Sequence, residues 1–275
     1  MMIRRKLITA VSAITLMVTA TFTVAETQMY IPLVSKGFQH QFWQAVKAGA
    51  DQAAEEFDVR ITFEGPDSEA MVDRQIDMLS AALANKPSAI GFAALDSQAA
   101  IPLLRKASQA GIPIIAFDSG VASDIPLTTA TTDNVAAAAL AADEMAKLIG
   151  NKGKVAIVAH DQTSQTGIDR RDGFMKRIES AHPGISIVSV QYGQGDQLKS
   201  TEIAKAILTA NPDLDGMFGT NEGSAIGLVN AVREMNNSSV VIIGYDSGKA
   251  QKDAVRSGLM AGAITQNPVG IGYET

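Results

Sequence analysis

Cysteine is absent from the 275-residue chain. That excludes a disulfide-stapled scaffold, a thiolate-held metal cluster and a lipid-modified cysteine at the amino terminus. Aromatic residues are scarce, at 5%, with a single tryptophan. Basic residues are outnumbered, 23 Lys and Arg against 29 Asp and Glu, for a net charge of −6. An acidic balance argues against a binder of phosphate backbones, which needs a basic face, so no nucleic-acid partner is expected. Motifs for catalysis are missing too. There is no P-loop, no Gly-x-Gly-x-x-Gly after a strand, no Gly-x-Ser-x-Gly elbow and no His-Glu-x-x-His pair. His40, His160 and His182 are scattered along the chain. No catalytic residue, metal ligand or cofactor is assigned on these grounds.

What is present points to an exported, folded protein. Hydrophobic residues make up 46%, too many for a disordered chain. Arg4, Arg5 and Lys6 precede an uncharged stretch, Leu7 to Val24, and Thr23-Val24-Ala25 places small residues before Glu26. This is the pattern of a secretory signal over residues 1–25, cleaved after Ala25. It predicts a periplasmic product, more acidic still once the basic start is removed. No later run is apolar enough over sufficient length to span a bilayer.

Short apolar runs then alternate with amphipathic ones. Strands are predicted at Met29–Val34, Val59–Phe63, Ala89–Ala93, Ile112–Phe117 and Leu127–Thr131. Helices are predicted at Phe42–Phe57, Ser68–Ala84 (with Asp67 or Ser68 as N-cap) and Ala99–Ala110. The rhythm restarts with an alanine-rich helix, Asn134–Ile149. Strands follow at Lys154–Ala159, Ser186–Val190, Gly216–Phe218 and Val240–Ile243, with helices at about Gly167–Ser180, Gln197–Ala210 and Gly223–Met235. Alternation of this kind means right-handed βαβ units and parallel sheets, an α/β fold. Two internal matches suggest two copies of one unit. Ile114–Gly120 resembles Ile242–Gly248, and Leu83–Asp96 resembles Leu208–Asn221, at nearly equal offsets of 125 to 128 residues.

In parallel α/β sheets the ligand side is the carboxyl edge of the strands. The residues just past each strand are Ser35 and Lys36, Asp96, Asp118, Asp161, Asn221 and Asp246. If the copies face each other, these polar groups line one cleft. A polyhydroxylated guest needs such a mixture, because each hydroxyl both donates and accepts. Phe42 and Trp43 open the first helix beside that edge, where an aromatic face can cover the C–H face of a sugar ring. Each residue also has a plainer reading. Trp43 suits a helix-face core position, Asp118 and Asp246 suit helix N-capping, and Asp96 suits capping better than binding.

With Ser35 to Gly49, Asp118, the run Arg170-Arg171-Asp172-Gly173-Phe174, Thr220-Asn221-Glu222, Gly244-Tyr245-Asp246 and Gln266, the chain resembles the periplasmic sugar-binding proteins. It looks closest to the ribose-binding-protein-like group, related in fold to the lac-repressor effector domain. The resemblance covers essentially the whole mature chain. It implies a type I periplasmic binding protein: two doubly wound parallel-sheet lobes joined by a hinge. The expected amino-terminal lobe is 26–131 plus 266–275, and the carboxyl-terminal lobe is 132–265. It implies a monosaccharide or polyol ligand held by Phe42, Trp43, Asp118, Arg170, Asn221, Asp246 and Gln266, with His40 and Ser119 as further candidates. The implied partner is an ABC permease, with a chemoreceptor or sensor as a further one. A transcriptional regulator or an exported sugar-acting enzyme of the same fold fits less well. His40, Ala93, Ser119 and Gly195 depart from the ribose-binding pattern. The smaller side chains among them suggest room for a bulkier ring than ribose. The family also carries another helix and closing strands beyond Gln266, so the chain looks truncated at its carboxyl terminus. Uncovered apolar surface on the first lobe and lowered stability are then expected.

Overall fold

The computed structural model describes residues 28–275. The predicted signal segment and its cleavage site lie outside the described residues. The first half runs β1 (Tyr30–Val34), α1 (Gln41–Glu56), β2 (Arg60–Glu64), α2 (Val72–Ala84), β3 (Ile90–Phe92), α3 (Ile101–Gln109), β4 (Ile114–Phe117) and β5 (Thr128–Ala130). The second runs α4 (Asn134–Leu148), β6 (Gly153–Ala159), α5 (Gln165–Ala181), β7 (Ile185–Tyr192), α6 (Gln197–Ala210), β8 (Gly216–Gly219), α7 (Glu222–Glu234), β9 (Val241–Tyr245), α8 (Lys249–Arg256) and β10 (Gly262–Ile264). A last helix, α9 (Pro268–Glu274), returns to pack on α1.

Every strand pairing is parallel, in two five-stranded sheets ordered β2-β1-β3-β4-β5 and β7-β6-β8-β9-β10. Each is a doubly wound α/β lobe. The two sequence matches fall on strands of equal rank, β4 with β9 and β3 with β8. Helices cover both faces of each sheet, as buried parallel strands require. In lobe 1, Val34, Ile90, Phe92 and Ile114 pack beneath Leu79 and Leu104 of α2 and α3. On the other face Leu33, Phe63 and Phe117 meet Trp43 and Val46 of α1. In lobe 2, α4 buries Ala138, Ala141, Ala142 and Ala146. Such small side chains let it approach α5 closely, and a Cβ on Gly173 would lie 2.6 Å from the Val135 carbonyl.

Most predicted elements lie within a few residues of their expected ends. One start differs. α2 begins at Val72 with Met71 as an N-cap that makes no side-chain bond, not at Asp67 or Ser68. Residues 67–70 instead form a turn in which Ser68 Oγ accepts from Ala70 N at 3.2 Å and Glu69 points inward. The turn exists because Glu69 is recruited by Trp43 (below). Beyond Val240–Ile243 the sequence reading stopped, and α8, β10 and α9 were not anticipated. An apolar groove of about 370 Å³, lined by Met29, Ile31, Phe57, Ile61 and Tyr273, runs beside α9 on lobe 1. Among the described residues no helix is long and apolar enough to cross a membrane.

Candidate ligand site

The carboxyl ends of the two sheets meet. Lys36, Asp118, His160, Asn221 and Asp246, each just past a strand, line one cavity with His40, Phe42, Trp43, Glu69, Thr166, Arg170 and Gln266. Its volume is about 20 Å³, room for about one water. A wider cavity of about 480 Å³ adjoins it and shares Phe42, Asp246 and Gln266.

Asp118 and Asp246 occupy equivalent turns, and both adopt the left-handed backbone, with φ of 53° and 79°. Aspartate tolerates this region better than most non-glycine residues. The turn throws each carboxylate off the strand end and into the space between the lobes. Neither residue caps a helix through its own turn. Their surroundings then differ. Asp246 Oδ2 accepts from Glu222 N at 2.9 Å and Oδ1 from Gln266 Nε2 at 2.7 Å. Gln266 in turn accepts from Thr132 Oγ1 at 2.8 Å. Asp118 is 5% exposed, and its nearest charged partner is Arg170 Nη2, 3.9 Å away across the cavity. Among the described residues its carboxylate accepts no hydrogen bond within 3.5 Å. Burial pushes it up from 3.8 to about 6, against the pull of Lys36 and Arg170.

Arg170 comes from α5 and is fixed on every side by its own lobe. Nε donates to Asn134 Oδ1 at 2.7 Å and Nη1 to the Thr220 carbonyl at 2.9 Å. The guanidinium carbon sits over the Tyr245 ring, 3.8 Å from its centre. Burial alone would depress its pKa, but Tyr245, Asp246, Asp118 and Glu69 hold it above its ordinary value. Asn221 follows β8 and N-caps α7, its Oδ1 accepting from Ser224 N at 2.8 Å, and its amide nitrogen faces the cavity, where it donates to Glu69 Oε2 at 3.4 Å.

The residues 31–275 match the family model for the periplasmic binding protein domain. The chain belongs to this family. It is 26% identical to the ribose import binding protein of Escherichia coli (strain K12) over 270 residues, 98% of this chain and 90% of that one. A carbohydrate transporter solute-binding protein of Agrobacterium radiobacter, solved with D-arabinose, is 31% identical with a TM-score of 0.88, covering 91% of this chain and 86% of that one. An ABC transporter solute-binding protein of Agrobacterium vitis with bound D-fucose is 31% identical with a TM-score of 0.86, covering 89% and 86%.

In this binding protein the aromatic pair serves core and cavity at once. The Phe42 and Trp43 rings meet edge to face at 5.0 Å, and Trp43 also packs on Phe117. Trp43 Nε1 donates to Glu69 Oε1 at 2.8 Å. Burial would raise the Glu69 carboxyl, but Lys36, His40, His160 and the Trp43 donor outweigh it, and the group is held below its usual range. Beside it, His40 Nδ1 is buried without a partner among the described residues.

Four cavity residues were missed as site residues in the sequence: Lys36, Glu69, His160 and Thr166. Lys36 is 2% exposed and reaches from lobe 1 into lobe 2, donating to Ser164 Oγ at 3.4 Å and Thr166 Oγ1 at 3.2 Å, with Asp161 at 3.8 Å. Its place just past β1 was the signal. His160, just past β6, carried the same signal. Burial pushes it down to about 3, so its ring is neutral, bonded to Thr220 Oγ1 at 2.8 Å. Glu69 carried no signal, because its inward direction depends on tertiary contacts with Trp43 and Asn221.

Ser119 does not line the cavity; it is buried between the lobes, its Oγ accepting from Thr166 N at 3.5 Å. In the closed structure Gly195 lies against the polar groups of the cavity. A Cβ there would meet Glu69 Oε2 at 2.9 Å and Asn221 Nδ2 at 3.1 Å.

Proposed function

We propose that the protein is a periplasmic solute-binding protein that captures a monosaccharide or related polyol between its lobes and delivers it to an ABC permease. The observation that carries the reading is Asp118, a buried carboxylate with unfilled acceptor sites that faces Arg170 from the opposite lobe. Burying an ionised group without partners is costly, so such an arrangement is retained for a guest that supplies the missing donors. Two vicinal hydroxyls do so. The unpartnered His40 Nδ1 supports the same conclusion. The solved neighbours that hold D-arabinose and D-fucose, and the ribose import relative, point to a pentose or hexose ring.

Lobe 1, taken as 26–131 with 266–275, supplies Asp118, Phe42, Trp43 and His40. Lobe 2, taken as 132–265, supplies Arg170, Asn221 and Asp246. Gln266 stands at the crossing between them. A cavity with room for one water admits no sugar, so the lobes part to take one in and close around it less tightly than here, about hinges near Thr131–Asp133 and Thr265–Gln266. The guest bridges both lobes and so favours the closed state alone. No turnover is involved; the sugar leaves unchanged. Export by the segment 1–25 puts the protein in the periplasm, and amino-terminal sequencing of the secreted form, with Glu26 first, checks it.

A thermal-shift and calorimetric screen of mature protein against D-ribose, D-arabinose, D-fucose and inositols tests the reading. One-to-one binding by at least one is expected. No stabilisation by any pentose, hexose or polyol would overturn it.

A further inference from the structure

Glu222 is buried and has no part assigned in holding the guest, although it lines the wider cavity beside Phe42, Asp246 and Gln266. It opens α7 on lobe 2, and its carboxylate crosses to lobe 1. Oε1 accepts from Gln41 N and Oε2 from Phe42 N, each at 3.3 Å. These are the first amides of α1, whose own N-cap, His40, makes no side-chain bond to them. The exchange also runs in reverse. Gln41 Oε1 accepts from Lys249 N, the first amide of α8, at 2.7 Å. The N-cap of α8 is Gly248, which has no side chain to offer. Each lobe therefore caps a helix of the other.

Two details show that the space is shaped for this. A Cβ on Gly248 would lie 2.7 Å from Glu222 Oε1, so glycine there keeps the carboxylate's seat clear. The main chain of Glu222 meanwhile donates to Asp246 Oδ2 at 2.9 Å. One residue thus ties the main chain of Phe42 in lobe 1 to the carboxylate of Asp246 in lobe 2.

We propose that Glu222 is a positioning residue for sugar capture, a cross-lobe latch that holds Phe42 against Asp246 when the lobes close. This rests on the sugar-binding reading above. Parted lobes leave both helix termini to water, so the exchanged caps favour closure selectively. Glu222 touches the guest only through the groups it sets.

Small-angle X-ray scattering and titration calorimetry on the mature protein test it, with D-arabinose and D-fucose as probes. Glu222→Ala is expected to raise the Kd of the bound probe roughly 5- to 30-fold, the span of a lost cap or charged hydrogen bond. It should also leave the radius of gyration above the wild-type value at matched saturation. Glu222→Gln keeps one acceptor and should recover part of both effects. Gln41→Ala, an exposed side chain, should shift both in the same direction by less. Wild-type affinity and compaction in Glu222→Ala and Gln41→Ala would overturn the latch. If neither probe binds wild-type protein, the choice of sugar fails. Scattering from sugar-free protein then still decides, with Glu222→Ala expected to be more open than wild type and equality counting against the proposal.

Discussion

Asp118 sets binding against stability within one side chain. Burial holds its carboxyl near 6 rather than 3.8. Between those values the folded protein keeps a proton that the unfolded chain has lost. Stability therefore falls as pH rises from about 4 to 6 and is flat above. Asp118→Asn removes that cost. In the closed form this is worth up to roughly 2–3 kcal/mol at pH 7.5, less to the extent that sugar-free lobes part, and nothing below about pH 4. Calorimetric unfolding of both proteins across that range checks it, and a destabilised Asp118→Asn at pH 7.5 would refute it. The same substitution should weaken sugar binding roughly 10- to 150-fold. In the wild-type protein, affinity should decline as pH drops through 6, because a protonated carboxyl offers fewer acceptors. At this scale a place just past a strand was informative for some residues and not others: Asp96 and Asp161 turn back to accept from the amides that follow them. Asp118, Asn221 and Asp246 were legible from position alone, and Lys36 and His160 carried the same mark without being assigned. Glu69 was not legible, since its direction depends on an indole from another element. Gly195 has no side chain to read, and Glu69, Asn221 and His40 stand beside it in the closed structure.

Among the elements, the contact of α9 with α1 is the most exacting. Gly49 abuts the Val269 carbonyl and Gly272 abuts the Val46 carbonyl, so the two backbones touch with no side chain between them. Either glycine changed to alanine must push the helices apart. Gly272→Ala is expected to cost about 1–3 kcal/mol, as overpacking does, and to lower Tm by about 2–12 °C. Sugar affinity should change little at a temperature where the variant is folded. A Tm equal to wild type would show that α9 yields freely. The long periodic helices and the apolar strands could be read from the sequence, because three or more turns give a clear repeat. The eight residues of α8 and three of β10 are too few to show one. The start of α2 was misplaced for a different reason: Ser68 answers the description of an N-cap, but the chain spends residues 67–70 on delivering Glu69.

For the molecule as a whole, the repeat read at offsets of 125 to 128 residues corresponds to two sheets with the same strand order, and the paired left-handed aspartates are its most local trace. Closure of one lobe on the other predicts a guest-dependent thermal shift. At a sugar concentration a hundredfold above Kd, the gain is about 2.7 kcal/mol, which for a chain of this size raises Tm by about 5–10 °C. The shift should grow with the logarithm of concentration, and a plateau at low concentration would argue against simple one-site capture.

The solitary indole has a practical consequence. Trp43 sits in the cavity wall with its N–H tied to a carboxylate, and no second tryptophan exists to dilute its light. Excited selectively, the protein emits from one place only, the cavity proposed to take the guest. On that proposal it is expected to act as an unlabelled optical sensor, with colour and brightness changing as sugar binds.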